Sequence, residues 1–195
     1  MQTKRKGGIL KWIIIILIVL GVIGVVSGEK YDDKVKDVTS NTKEENDEQN
    51  NYEDASKDEE EKTEFYLGEI AEQKGVQIAL VNVYESFGSD FITPNDGNIF
   101  LVCEFDIANN SEKDIHISSV MNFEAYCDDY SLNQDILGLQ VPEANGKKQL
   151  DGSVAAGKKM NGVIAFQVPA NYQTMEINVS PDFWSERDMK FVYSK

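Results

Sequence analysis

From residue 65 onward, apolar side chains recur at every second position. Met175, Ile177 and Val179 alternate with Glu176, Asn178 and Ser180, and Leu101, Cys103, Phe105 and Ile107 alternate with Glu104 and Asp106. Met160, Gly162, Ile164, Phe166 and Val168 form one parity of a third run, with Lys159, Asn161 and Gln167 on the other. Met121, Phe123, Ala125 and Cys127 form one parity of a fourth. Ile115 and Ile117 flank His116, and Met189, Phe191 and Tyr193 make a last run. A strand places successive side chains on opposite faces, so this period predicts half-covered strands. Val76 to Tyr84 is apolar on both parities and predicts a central strand covered on two sides. Asp96-Gly97, Asn109-Asn110-Ser111, Asn145-Gly146 and Asp151-Gly152 separate the runs with residues that tolerate turn conformations. No strong amphipathic helix follows residue 65, and Asp135 to Leu139 predicts at most a short turn. Seven or eight short strands punctuated in this way predict an all-β fold, a β-sandwich, over residues 65–195.

Ahead of this region lies an uncharged apolar run, Trp12 to Val26. A membrane-spanning helix needs roughly 17–25 mostly apolar residues. With Ile9 and Leu10 included, and Lys11 snorkelling to the headgroups, the run reaches that length. Lys4, Arg5 and Lys6 precede it and Glu29, Asp32 and Asp33 follow. The positive-inside rule then makes residues 1–8 a cytoplasmic basic tail, residues 9–28 a transmembrane helix or signal anchor, and everything later extracytoplasmic. A cleaved signal peptide, with small residues at Ser27 and Gly28, is the alternative and would leave the rest secreted. The length of the run and the lack of an Ala-x-Ala site favour the retained helix. No cysteine stands directly after the run, which argues against a lipid-modified cysteine as the anchor.

The whole chain carries a formal charge of −15. Residues 29–64 hold 15 Asp/Glu against 6 Lys/Arg and few apolar residues, namely Tyr31, Val35, Val38, Tyr52 and Ala55. Such a segment buries too little surface to offset the entropy of ordering, which predicts a disordered acidic linker. A flexible chain of that length spans on the order of 30–35 Å and would hold the outer domain clear of the bilayer. The outer domain is acidic as well, so nucleic acid and anionic lipid headgroups are poor partners, for want of a basic surface.

Three stretches resemble a widespread bacterial exported domain of unknown function in the immunoglobulin-like superfamily of the mycobacterial secreted immunoprotective antigen. They are the long strand ending in Asn-Asn-Ser, Asn98 to Ser111; Asn122-Phe-Glu-Ala-Tyr-Cys-Asp-Asp129; and Ala156 to Pro169. The last is similar to that family's Pro-Gly-x-x-x-x-Gly-x-x-x-Phe-x-Val-Pro pattern, with Ala156 where proline is usual. The resemblance covers about residues 65–195. It implies an immunoglobulin-like sandwich of seven to eight strands outside the membrane, and it carries over no catalytic residue. Many members of that family are lipoproteins; this chain has a helix in place of the lipid-accepting cysteine.

Few residues point to chemistry. Cys103 and Cys127 are the only cysteines; both sit on inward parities of an exported domain, making them a candidate disulfide or two separate buried thiols. His116 is the only histidine, and its parity predicts an exposed side chain. No Cys-x-x-Cys or His-x-x-x-His spacing offers a zinc site. Asp128, Asp129 and Asp135 lie around a turn but match no calcium loop. Catalytic, cofactor-binding and metal sites are therefore all expected to be absent. The remaining leads are loop aromatics, Phe87 and Phe91 after one strand and Phe183 and Trp184 before the last, either as binding residues or as plugs for the core ends. These features predict a non-enzymatic module that binds a protein or a cell-envelope component. A carboxylate-based envelope hydrolase and an accessory sensor acting through a membrane partner are the alternatives.

Overall fold

The computed structural model describes residues 34–39, 62–182 and 189–195. Among these, no helix is long and apolar enough to cross a membrane, and the run at 9–28 lies outside them.

The alternating runs become strands of two stacked sheets. The first has five strands in the order β1 (Lys36–Asp37), β3 (Ile70–Gln73), β4 (Val76–Ser86), β5 (Asn98–Asn109) and β10 (Lys159–Pro169). Its neighbours are all antiparallel. The second runs β2 (Glu64–Tyr66), β12 (Met189–Ser194), β11 (Thr174–Val179), β7 (Phe123–Cys127) and β8 (Tyr130–Leu132), with β2 parallel to β12. A two-stranded ribbon pairs β6 (Ile115–Ser118) with β9 (Asp151–Val154). The β-sandwich expectation holds, but the described residues contain twelve strands rather than seven or eight. The extra ones are short: β1, β2, β3, β8 and β9 span two to four residues each, too few for a periodic signal.

Between the sheets the expected inward parities meet. Leu101, Cys103, Phe105 and Ile107 of β5 and Ile164, Phe166 and Val168 of β10 face Phe123, Ala125, Met175, Ile177 and Phe191. Phe105 stands at the centre, 5.3 Å from the Phe123 ring and 5.6 Å from Phe191, both in edge-on contact. Phe65 of β2 stacks beside Phe191 at 5.7 Å. Such aromatic pairs bury large area and add about 0.5–1.5 kcal/mol beyond it.

Two expectations need correction. Residues 34–39 belong to the sandwich rather than to the disordered linker of residues 29–64. Lys36 and Asp37 pair with Glu72 and Ala71, and Val35 enters the core, 3% exposed. One valine, a short ladder and an ion pair suffice where composition alone argued against order. Met121 does not face inward. It lies in a single helical turn, α1 (Ser119–Asn122), and is 55% exposed. Buried Asn122 explains this: its amide oxygen accepts from the Ser118 N–H at 2.8 Å and its amide nitrogen donates to the Ser180 carbonyl at 3.0 Å. The chain is thus held in a turn, and the strand parity begins only at Phe123. As expected, β4 is the central strand of its sheet, and its neighbour β5 is covered more completely still. Residues 136–144, in two short 3-10 turns, lie over its outer face, where Val141 and Ala144 pack on Phe100, Val102, Val163 and Ala165. The approach is close: a Cβ on Gly138 would stand 2.7 Å from that of Ala165.

Strand directions give the sandwich two distinct ends. At the root end lie the β3–β4 turn, the β5–β6 loop, the β9–β10 loop and Lys34, which precedes β1. There the Asn110 N–H donates to Gly75, the Gly157 N–H donates to Asn109, and Lys74 pairs with Asp182 at 3.5 Å. At the tip end lie the β4–β5 loop, the β7–β8 turn and residues 170–173. Their ties include Ala170 N–H to the Gly97 carbonyl and Tyr172 hydroxyl to Glu85 Oε1 at 2.9 Å.

Candidate functional site

Of the two aromatic loops, the one before β5 is described. Phe87 and Phe91 belong to the tip. Phe183 and Trp184 lie outside the described residues, but the residue before them, Asp182, is paired at the root.

The tip loop is built to hold its rings in water. Gly88 adopts φ +88°, and a Cβ there would fall 2.0 Å from the Ile92 carbonyl oxygen. Only glycine fits so close an approach in the left-handed region. Ser89 and Ile92 exchange backbone hydrogen bonds at 2.7 and 3.3 Å, and the Gly88 N–H donates to Ser86 Oγ at 3.1 Å. Ile92 packs against the outer cluster that contains Phe100 and Val102. The Asn95 N–H donates to Gln167 Oε1 at 2.8 Å. With the loop pinned at these points, Phe87 is 76% exposed and Phe91 93%. Neither plugs the core. Tyr84, earlier on the same strand, does pack against the outer cluster. Exposed Asp90 and Asp96 accompany the rings, and Asp128 and Asp129 lie in the neighbouring turn. That turn has two successive left-handed residues, φ +46° and +68°, which suits a two-residue hairpin.

Asp128 is already used: its carboxylate accepts from the backbone N–H groups of Gln173 and Thr174. Asp135 serves elsewhere, accepting from the Leu137 N–H at 2.8 Å and from the Gln167 side chain. The three aspartates therefore do not converge. Tyr126, Asp128, Asp129, Thr174 and Glu176 line a shallow open recess. Among the described residues, no group of three or more His, Cys, Asp or Glu is placed to hold a metal ion.

Cys103 on β5 and Cys127 on β7 stand on facing sheets in the same core and are free thiols. Burial pushes the Cys103 thiol up to about 12. Burial, with the Asp128 charge, pushes Cys127 up to about 11. Both pack as small apolar residues. His116 is exposed, with Nδ1 2.8 Å from Ser153 Oγ across the two-stranded ribbon. No carboxylate hydrogen-bonds its ring among the described residues, so the third group of a catalytic relay is missing.

The polar cluster that parity did not reveal centres on Glu104. Its position on β5 faces outward, yet it is only 7% exposed. Lys147 lies over it with Nζ 2.7 Å from Oε2 and 5.0 Å from the centre of the Tyr84 ring. Tyr84 hydroxyl, Asn82 and Asn161 also donate to the carboxylate at 2.8–3.1 Å. Burial alone would raise the Glu104 pKa. Hydrogen bonds from Lys147, Tyr84 and Asn161, with the Lys147 charge, outweigh burial and hold it below the ordinary range. For Lys147, burial works downward and Glu104 more than reverses it, leaving it raised. A carboxylate donated to on all sides and capped by an ammonium is a clasp for the covering segment. It offers neither a free base nor a second carboxylate for hydrolysis. The sequence signal was Asn82 and Tyr84, two apart on β4 beside a strand-interior Glu.

Similar solved structures include the yjhA protein of Bacillus subtilis, 20% identical over 66% of this chain and 97% of its own, with a TM-score of 0.48. The ycdA protein of the same organism is 18% identical over 62% of this chain, with a TM-score of 0.47. This chain spans only 36% of that structure's length. MPT63, a secreted protein of Mycobacterium tuberculosis, is 11% identical over 65% of this chain and 84% of its own, with a TM-score of 0.38. No curated protein matches. A family model does match, over residues 65–189, which is the sandwich from β2 to the start of β12; the chain belongs to the family described as Domain of unknown function (DUF4352).

Proposed function

We propose that this chain is a membrane-anchored, extracytoplasmic, immunoglobulin-like module that binds a protein or envelope component through its tip and performs no catalysis. One observation carries it: Phe87 and Phe91 are exposed on a loop that a glycine contact, four hydrogen bonds and the half-buried Ile92 pin in place. Exposed aromatics on a pre-ordered loop are typical binding anchors, since they bury large area at little entropic cost. The uncharged run at residues 12–26 and its basic flank support the anchor.

The test uses the full chain in membranes of its native cell, with a photo-crosslinking residue at Thr93 beside the rings. The same adduct is expected in wild type and to disappear in Phe87→Ser/Phe91→Ser while the circular dichroism spectrum stays unchanged. An adduct that persists in the double variant overturns the tip as the binding surface. Recovery of the chain in the salt-washed soluble fraction overturns the anchor.

A further inference from the structure

We propose that the edge of β3 covered by β1 is a strand-acceptor site, and that two copies of this chain pair by filling it with each other's residues 34–39. β1 is unlike the long strands of its sheet. It contributes two residues, against 11 in β4 and 12 in β5, and it precedes the residues 65–189 that the family shares. Its hold is nevertheless specific. Val35 enters the core cluster that contains Phe65 and Ala71. Lys36 and Asp37 pair with Glu72 and Ala71, the Val38 N–H donates to the Ile70 carbonyl at 3.1 Å, and the Ile70 N–H donates to Thr39 Oγ1 at 3.0 Å. Lys62 Nζ closes the site, 2.6 Å from Asp37 and 2.9 Å from Glu69. The edge thus reads an extended segment at alternate positions: an apolar side chain, then a carboxylate, then a hydroxyl. Main-chain pairing to an edge with side-chain selection at every second residue is how sheets accept an added strand.

Nothing local commits β1 to its own sandwich. The β3–β4 pairing is fixed within one chain by the Lys74-Gly75 turn. From Thr39, by contrast, residues 40–61 intervene before the chain returns to the site at Lys62. That stretch reaches at most about 75 Å, roughly twice the 35 Å of an 11-residue strand such as β4. An exchange keeps the ladder, the Val35 burial and the Lys62 ion pairs, so the own-chain and exchanged states differ chiefly in the entropy of the connection. The empty site is the unfavourable state: it bares the β3 edge and leaves a hole where Val35 sits. Residues 34–39 are a segment that the structure shows to fit, and a second copy supplies that same segment. Each copy gives one strand and takes one, so the assembly closes as a two-fold dimer.

The experiment mixes full chains that carry Lys36→Cys alone with full chains that carry Glu72→Cys alone. These two positions are cross-strand partners, and opposed residues of an antiparallel pair stand about 5.5 Å apart at Cα, within reach of a disulfide. Cys103 and Cys127 are buried and do not compete. Mild oxidation is expected to give a covalent mixed dimer whose yield rises with concentration, while the double variant Lys36→Cys/Glu72→Cys closes within one chain in dilute solution. Val35→Ser added to the first chain should lower the mixed-dimer yield severalfold. If that chain loses its native circular dichroism, Lys62→Glu in the second chain tests the same docking without touching the core and should lower the yield as well. No mixed dimer, under conditions where the double variant closes, overturns the exchange and leaves β1 as a strand of its own sandwich only. A yield that these docking variants leave unchanged marks chance collision and overturns it too, as does a double variant that fails to close.

Discussion

The two faces of β5 solve the same burial problem in opposite ways. Its inner face gives Leu101, Cys103, Phe105 and Ile107 to a dry core. Its outer face mixes Phe100 and Val102 with a carboxylate, Glu104, and covers all three with the segment that carries Lys147. The apolar side gains from area removed from water and tolerates no gap. The polar side gains little net energy from its charges, because desolvation opposes attraction, but it fails badly if one partner is removed. The inner face therefore supplies stability, and the outer face specifies where residues 133–150 must lie.

The sharpest way to break this contrast is at Phe105. Phe105→Ala removes the ring at the centre of the aromatic cluster and should cost about 3–5 kcal/mol, read from denaturant midpoints at unchanged m-value. A loss below about 1 kcal/mol would mean that the two sheets are not held by this core.

Next comes Lys147→Met, which keeps the stem over Tyr84 and leaves Glu104 buried without its cation. The expected loss is about 1–3 kcal/mol. The double variant Glu104→Gln/Lys147→Met should recover much of it, since neither group is then charged. Failure to recover would show that Lys147 acts by packing rather than as the partner of a buried charge.

pH resolves the same pair. Glu104 titrates below its unfolded value, so its contribution is complete above about pH 4.3 and is lost as pH falls through the lowered native pKa. Lys147 titrates above its unfolded value, so its contribution is complete below about pH 10.4 and is lost as pH rises through the raised one. Melting temperature followed against pH should therefore converge for wild type and Lys147→Met at both extremes and differ most between them. Parallel curves would remove the charge from the explanation.

The smallest expected effect is at the tip. Phe87→Ser/Phe91→Ser should change stability by less than about 0.5 kcal/mol, because the rings touch mostly water. A larger loss would make them part of the fold rather than a contact surface.

Much of the inner face is legible from sequence because parity is local. Once residues 101–107, 164–168 and 175–179 are extended, alternation fixes which side chains share a face, whatever they later meet. Met121 broke the pattern because a side chain, Asn122, took over the backbone hydrogen bonds at that point. The candidate tip was half legible: two phenylalanines after one strand marked a loop with exposed rings or core plugs, and only the Ile92 anchor and the Gly88 contact decide that they face water.

By itself the sequence determined that this chain is a β-sandwich behind an uncharged apolar run, because alternation and hydropathy act residue by residue. Tertiary structure alone decided that Val35 is core, that Glu104 is covered, and that Phe87 and Phe91 face water. Each of these depends on partners far away in sequence. Periodicity says which residues share a face, and only the folded pairing says what covers it.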